Sequence, residues 1–302
     1  MNDSQSMDDA GPFEARYLAF LETIATLRPS LHRYCARMTG SVMDGEDVVQ
    51  ETLFEAYRKL DKFDDSRPLK PWLFRIAHNR CIDFLRRRGV RDEAETSAAV
   101  PEAASPTEPA ALGIGKAVER LVVSLPPKER ACVLLKDVFD YSLEEIAELV
   151  DSSVGGVKAA LNRARAKLAE SSPATRPARS ASPELKRIMQ LYVERFNRRD
   201  WDGVRELTSA DARLRVAERF AGKASDAPYF ANYERWPWPW RLALGEVDGE
   251  PAAIILRRGA DTWTPHSAIR FEVAGQQIVR IVDYIHCPWV IEAASVSVAK
   301  PS

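Results

Sequence analysis

The chain has 302 residues, 45% of them hydrophobic and 29% charged, which is enough for two or three domains with separate cores. No apolar run approaches the roughly 20 residues needed to cross a bilayer, so no membrane-spanning segment or membrane partner is expected. The net charge of −1 excludes a uniformly basic protein but conceals blocks of opposite sign.

The first residues (MNDSQSMDDAGPFEAR) are acidic and polar, unlike a signal or transit peptide, and lead to the expectation of a cytoplasmic protein. Asp44 to Asp65 carries eight acids against three bases. Within it, Glu46 to Leu60 has the 3.6-residue period of an amphipathic helix, with Val48, Val49, Thr52, Ala56 and Leu60 inward. Asp47, Gln50, Glu51, Phe54 and Arg58 fall outward, an acidic stripe with an aromatic that suits a basic helical partner.

Arg67 to Arg91 reverses the balance, with eight bases against Asp83 alone. In the segment from Pro71 to Arg88, Trp72, Ile76, Ile82 and Leu85 can pack inward while Arg75, Asn79, Arg80, Arg86 and Arg87 face out. Aromatics interleaved with bases suit melted or single-stranded nucleic acid, where bases stack and phosphates meet Arg. Residues 89–112 are rich in Ala, Glu, Ser and Pro and cannot bury enough surface to fold alone, so they read as an acidic flexible linker.

From Leu125 to Leu168 the sequence reads as a helix-turn-helix. Ser142 and Glu145 form the S-x-x-E pattern of a capping box, ahead of Leu143, Ile146, Ala147 and Val150. After an Asp151-Ser152-Ser153 turn, the second helix is expected to bury Val154, Val157, Leu161 and Leu168. It presents Lys158, Asn162, Arg163, Arg165 and Lys167, and has no acid between Ser152 and Ala169. Such a face neutralises phosphates, the main source of affinity for duplex DNA. Gly156, Ala159 and Ala160 leave that face short of long side chains, so shape is expected to supplement direct readout.

A second linker, residues 171–183, precedes the third piece. Pro183 to Arg199 opens it as an amphipathic helix with Leu185, Ile188, Met189, Tyr192 and Phe196 on one face. A short helix over Trp201 to Leu207 follows. Strand-like segments then begin at Trp240, with a hairpin signal at Asp248-Gly249 and a further turn at Gly275-Gln276. Helices first and a meander after make an α+β layer fold. The Trp236-Pro237-Trp238-Pro239-Trp240 run reads as an extended rim segment, because Pro cannot donate to a ladder. Trp236, Trp238 and Trp240, with His266, Asp283 and His286, are the candidate pocket or interface residues here, and Asp211 is a further carboxylate.

Cys35, Cys81, Cys132 and Cys287 lie far apart with no metal-ligand spacing, so free thiols are expected and no metal or other cofactor is implied.

Asp47-Val48-Val49-Gln50-Glu51-Thr52, Trp72 through Arg80 and Asp83 together resemble region 2 of the sigma-70 family of RNA polymerase sigma factors, in its extracytoplasmic-function (ECF) type. Leu125 through Arg130 and Val157-Lys158 through Arg165 resemble region 4 of the same family, in the right order. The third piece is similar to the SnoaL-like branch of the NTF2-like superfamily, by element order and by Asn197 through Trp201 and Ile278 through Tyr284.

These resemblances imply two all-α domains followed by an α+β cone. The divisions are residues 13–88 (region 2), 89–112 (linker), 113–170 (region 4), 171–183 (linker) and 184–296 (SnoaL-like). They also imply a partner, core RNA polymerase through its β′ clamp helices, met by Asp47, Gln50, Glu51 and Phe54. Promoter DNA is the second partner. Phe63, Arg67, Lys70, Trp72, Arg75, Asn79, Arg80, Arg86 and Arg87 would engage the −10 element. Ser152, Ser153, Gly156, Lys158, Asn162, Arg163 and Arg165 would engage the −35 element.

The third domain would then act in cis on the sigma domains through an intramolecular contact. Two other readings stand beside this one. One is a one-component helix-turn-helix regulator with a ligand-sensing domain, and the other a bifunctional protein whose NTF2-like domain is catalytic.

Overall fold

The computed structural model describes residues 12–64, 66–98, 122–170 and 182–299, in two compact units, residues 1–176 and 177–302. The described part of the first unit is helical. Helix α1 (Pro12–Thr39) ends at Gly40, whose φ of 80° turns the chain into α2 (Val42–Arg58). Ser41 caps α2 by accepting from the Asp44 amide. Gly45 lies where α2 meets α1: a Cβ there would stand 2.5 Å from the Ala36 backbone, so the two helices pack closely only with Gly at this position.

A 3₁₀ turn (Leu60–Lys62) leads to α3 (Leu69–Ala98). That helix runs ten residues past Arg88, into the predicted linker. Arg91, Glu93, Ala94 and Glu95 are good helix formers, and their propensity outweighs the single Gly89. The remainder of the expected linker lies outside the described residues.

Helix α4 (Pro127–Val133) continues through a π turn (Leu134–Val138). Helix α5 (Leu143–Leu149) has the expected capping box, Ser142 with Glu145, and α6 (Val154–Glu170) completes the helix-turn-helix. Val157 and Leu161 are buried as expected, but so are Ala160 and Ala164, while Val154 and Leu168 are only partly covered. All these helices share a single hydrophobic core.

In the second unit, α7 (Pro183–Asn197) and α8 (Trp201–Glu206) precede β1 (Thr208–Val216) and β2 (Phe220–Lys223). Helix α9 (Tyr229–Glu234) follows, then β3 (Trp240–Val247), β4 (Glu250–Arg258), β5 (Trp263–Ala274) and β6 (Gln277–Asp283). The unit closes with α10 (Trp289–Glu292) and β7 (Val296–Val298).

The seven strands form one sheet in the order β2-β1-β6-β5-β4-β3-β7, with β1 and β6 parallel and every other pair antiparallel. Asp248 (φ 54°) and Gly249 (φ 80°) form the expected hairpin turn. Ile188, Met189, Tyr192 and Phe196 of α7 pack on Leu242, Ala253, Ile255, Ile269 and Phe271 of the sheet. A helical part followed by an α+β sheet domain is the architecture anticipated from the sequence, except that the two helical parts expected as separate domains share one core.

Candidate nucleic-acid interface and the C-terminal core

On α2, Glu51 and Phe54 are exposed and Asp47 and Gln50 half-buried. Phe54 is 65% exposed, with the Arg58 guanidinium 5.9 Å from its ring centre. Tyr57, 46% exposed and 5.4 Å from the Tyr17 ring, extends this aromatic patch; sequence reading missed it because it lies one turn on from the acidic stripe. Behind the patch the fully buried Glu46 carboxylate accepts from Arg28 and, at 3.0 Å, from Gln50. The Gln50 amide therefore helps hold an internal ion pair one turn back from Phe54 along α2.

At the start of α3, Phe63 and Trp72 pack with ring centres 4.6 Å apart. Trp72, Arg75, Asn79 and Arg86 recur at helical spacing and so share one side of α3, with Arg75, Asn79 and Arg86 exposed. Arg80 departs from the expected outward role. It donates to Glu55 at 2.5 Å, and Lys59 donates to the same carboxylate. Partial burial pulls the Glu55 carboxyl upward, but these two bonds prevail and hold it below the ordinary range.

Arg87 reaches Glu51 at 3.7 Å, Arg86 reaches Asp83 at 3.3 Å and Arg67 reaches Asp64 at 3.5 Å, all at exposed positions where such pairs exchange readily with phosphate. Lys70 lies 5.2 Å from the centre of the Tyr141 ring, just ahead of the helix-turn-helix.

On α6, Lys158 and Asn162 are exposed, and no ion pair of Lys158 occurs among the described residues. Arg163 and Lys167 both meet Glu129 of α4 at 2.8 Å, and Arg165 meets Asp137 at 2.9 Å. The two bonds from Lys167 and Arg163 hold the Glu129 carboxyl below its usual range. Ser153 accepts from the Gly156 amide at 3.1 Å, and a Cβ on Gly156 would stand 2.6 Å from the Ser152 hydroxyl. Glycine therefore lets the Ser152 side chain lie against the first turn of α6. The bareness expected of this helix needs one correction. Ala160 is fully buried, because the helix is rotated to put it in the core, so only Gly156 and Ala159 leave gaps on the outer face.

The two helical halves meet over contacts that no local pattern announces. Phe139, after the π turn, lies 5.9 Å from Tyr34 of α1 and 5.4 Å from Phe74 of α3, and Tyr141 lies 5.6 Å from Phe74. The Arg130 guanidinium donates to the Met38 carbonyl of α1 and to the Val123 and Leu125 carbonyls of its own half. Underneath, the Tyr34 hydroxyl and His78 Nδ1 share a hydrogen bond of 2.9 Å. Burial lowers the His78 imidazole to about 4, so it stays neutral near pH 7.

In the C-terminal unit Asp283 is fully buried, and each of its oxygens is engaged. One accepts from Tyr229 (2.7 Å) and Tyr233 (2.6 Å), the other from the Ile285 amide (2.8 Å). Burial raises its carboxyl to about 6 despite these donors. Trp240 is 6% exposed; its indole donates to the Tyr233 carbonyl at 2.9 Å and Arg199 lies 3.5 Å from its ring centre. Asp283 and Trp240 therefore belong to the packed interior and not to an open pocket, because Phe196, Tyr192, Tyr229, Tyr233 and Phe271 fill the space beside them. Asp211 is exposed and paired with Lys223 at 2.9 Å.

Trp236, Trp238, His266 and His286 come together, Trp236 against Trp238 and His286, and Trp238 against His266. A surface cleft of about 540 Å³ lies elsewhere, lined by Ser182, Glu184, Arg187, Val273, Gly275 and Gln276. No group of His, Cys, Asp and Glu among the described residues could hold a metal ion, and the four cysteines are buried and form no disulfide among the described residues. No helix among the described residues is long and apolar enough to cross a membrane.

Comparison with known proteins places two family models on the first unit: sigma-70 region 2 over residues 23–91 and sigma-70 region 4 over residues 115–168. The chain is 29% identical to the ECF RNA polymerase sigma factor SigG of Mycobacterium tuberculosis over 292 residues, covering 85% of this chain and 79% of that protein. It is 30% identical to the ECF RNA polymerase sigma factor SigW of Bacillus subtilis, covering 49% of this chain and 85% of that one. Among solved structures, the ECF sigma factor SigJ of Mycobacterium tuberculosis aligns with 87% of this chain and 95% of its own at 19% identity and a TM-score of 0.35.

Proposed function

The chain belongs to the ECF RNA polymerase sigma factors, and we propose that its C-terminal domain regulates that activity in cis by acting on how regions 2 and 4 are held. As a sigma factor it binds core RNA polymerase and directs initiation at promoters. The exposed Asp47–Phe54 face of α2 is the surface we assign to the β′ clamp helices. The Phe63–Trp72 pair with Arg75 and Asn79 is assigned to the −10 element, and the Lys158–Asn162 face of α6 to the −35 element. A protein with these partners works in the cytoplasm. The filled interior around Asp283 supports a regulatory rather than a catalytic C-terminal domain.

One observation carries the regulatory reading: regions 2 and 4 share a core, with Phe139 packed on Tyr34 and Phe74. The two promoter elements are about 25 base pairs apart by their names, or roughly 85 Å of duplex at ~3.4 Å per step. Halves in ring-to-ring contact cannot reach both elements at once, so the unit must open. The 23 residues between Ala98 and Val122 reach roughly 75–80 Å when fully extended, which is of the right order. A domain tethered behind region 4 acts at high effective concentration on that equilibrium.

The test is run-off transcription with core polymerase, comparing the full chain with one ending near Ala169. Unequal transcription is expected; equal yields at every concentration would refute regulation in cis. Failure of both chains to bind core would refute the sigma reading itself. A domain that senses a ligand but bears on DNA binding alone would leave transcription dependent on another sigma factor.

A further inference from the structure

We propose that the rim of the C-terminal domain binds a small carboxylate carried on a planar aromatic body. Trp236 and Trp238 stand 5.6 Å apart, nearly perpendicular at 84°. His286 packs 5.3 Å from Trp236, and His266 packs 4.6 Å from Trp238. Arg257 of β4 lies 5.3 Å from the Trp238 ring centre, and Arg219, in the turn between β1 and β2, acts electrostatically on His286. Neither guanidinium forms an ion pair among the described residues, and both are exposed. The Trp236 indole Nε1–H is buried with no acceptor.

The group is therefore one-sided. Two imidazoles, the Arg257 guanidinium and an indole donor without an acceptor lie together, Arg219 acts on His286 through its field, and among the described residues Glu292 is the carboxylate whose field reaches His266. Asp283 does not balance them, because its oxygens are occupied by Tyr229, Tyr233 and the Ile285 amide. Burial lowers both imidazoles, and Arg257 and Arg219 push in the same direction. The backbone of Ile285, hydrogen-bonded to His266, and Glu292 push back.

Two exposed guanidiniums with no ion pair among the described residues are the electrostatic complement of an anion, and Arg is suited to a carboxylate because its fork matches two oxygens. Two half-buried indoles at right angles add aromatic surface on which a flat ring can stack. An inorganic anion would leave those rings unused, and a neutral ring would gain nothing from the two guanidiniums, which would stay in water. The site belongs to the C-terminal unit alone, so it stands whether or not that unit regulates transcription.

Isothermal titration of the full chain with 2-naphthoate tests it, with 2-naphthamide and inorganic phosphate as parallel probes. Saturable 1:1 binding of naphthoate is expected, at least about ten-fold weaker for naphthamide and for Arg257→Gln, and unchanged for Arg258→Gln on the same strand. Circular dichroism and melting temperature of Arg257→Gln matching those of the parent chain guard against reading a folding defect as lost binding. No saturable heat with naphthoate, equal binding of the amide, binding of phosphate alone, or an unchanged Arg257→Gln would each overturn the proposal. Transcription is not the readout, so a negative result here leaves the cis-regulation test standing.

Discussion

Replacing Phe139 with Ala should open the sigma unit. The ring contacts Tyr34 and Phe74 of region 2, and its backbone amide is satisfied by Leu134 within region 4. Truncation therefore removes the contact between halves while leaving the π turn bonded. Full burial of a Phe is worth about 3–5 kcal/mol on truncation, and a half-buried ring roughly half of that. Two edge-to-face contacts add ~0.5–1.5 kcal/mol each, part of which is already within that figure. A loss of about 2–3 kcal/mol to the closed state follows, multiplying the open population by roughly 30–150.

The four native cysteines are buried, so dyes can be placed on cysteines substituted for the exposed Lys62 and Ala166. Single-molecule energy transfer should then show a new low-transfer population in the Phe139→Ala protein, with helix content by circular dichroism unchanged. An unchanged transfer distribution in a protein that is nonetheless destabilised would refute the reasoning, since it would place Phe139 in the stability of region 4 and not in the junction.

The remaining predictions concern single surfaces and one buried acid. Phe54→Glu should weaken capture by core polymerase at least about ten-fold in a binding assay, while unfolding free energy moves by no more than about 0.5 kcal/mol, because the ring is exposed. Lys158→Ala should lower the slope of log affinity against log salt for promoter DNA by about one unit, without a change in melting temperature. Asp283 has a folded pKa of about 6, above the unfolded carboxylate value. Its proton is thus held more tightly in the folded state, so its contribution is largest below about pH 4 and is lost as pH rises through about 6. The amount is on the order of 2–3 kcal/mol. Denaturant titrations of Asp283→Asn between those pH values should lack that slope in the C-terminal transition; a slope equal to the parent's would show that another group causes it.

Much of the fold was legible because its signals are local. The capping box at Ser142, the period of Val48–Leu60, the Asp248-Gly249 turn and the apolar face of α7 all depend on residues a few positions apart. The end of α3 was not legible, because a run of Ala, Glu and Arg suits both a solvated linker and a helix extension. In the candidate interface, outward-facing positions such as Phe54, Arg75, Asn79 and Lys158 followed from periodicity. The fate of Arg80, Arg163 and Lys167 did not, because Glu55 and Glu129 reach them from other helices.

The sequence alone determined the family, the helical part ahead of the α+β part, the type of the strongly periodic elements such as α2, α5, α6 and α7, and the sign of each surface, but not β1, β2, α9, α10 or β7. Those properties reside in motifs and in a 3.6- or 2-residue period carried by the chain itself. Only the tertiary structure decided that regions 2 and 4 share a core through Phe139 and Arg130, that Ala160 faces inward, and that Asp283 lies sealed under two tyrosine hydroxyls. It also decided that Trp236, Trp238, His266, His286 and Arg257 meet at one rim. The physical reason is range. A period tells which way a side chain points from its own helix or strand. What it meets there depends on how distant segments pack, and desolvation and ion pairing act only after that packing is made.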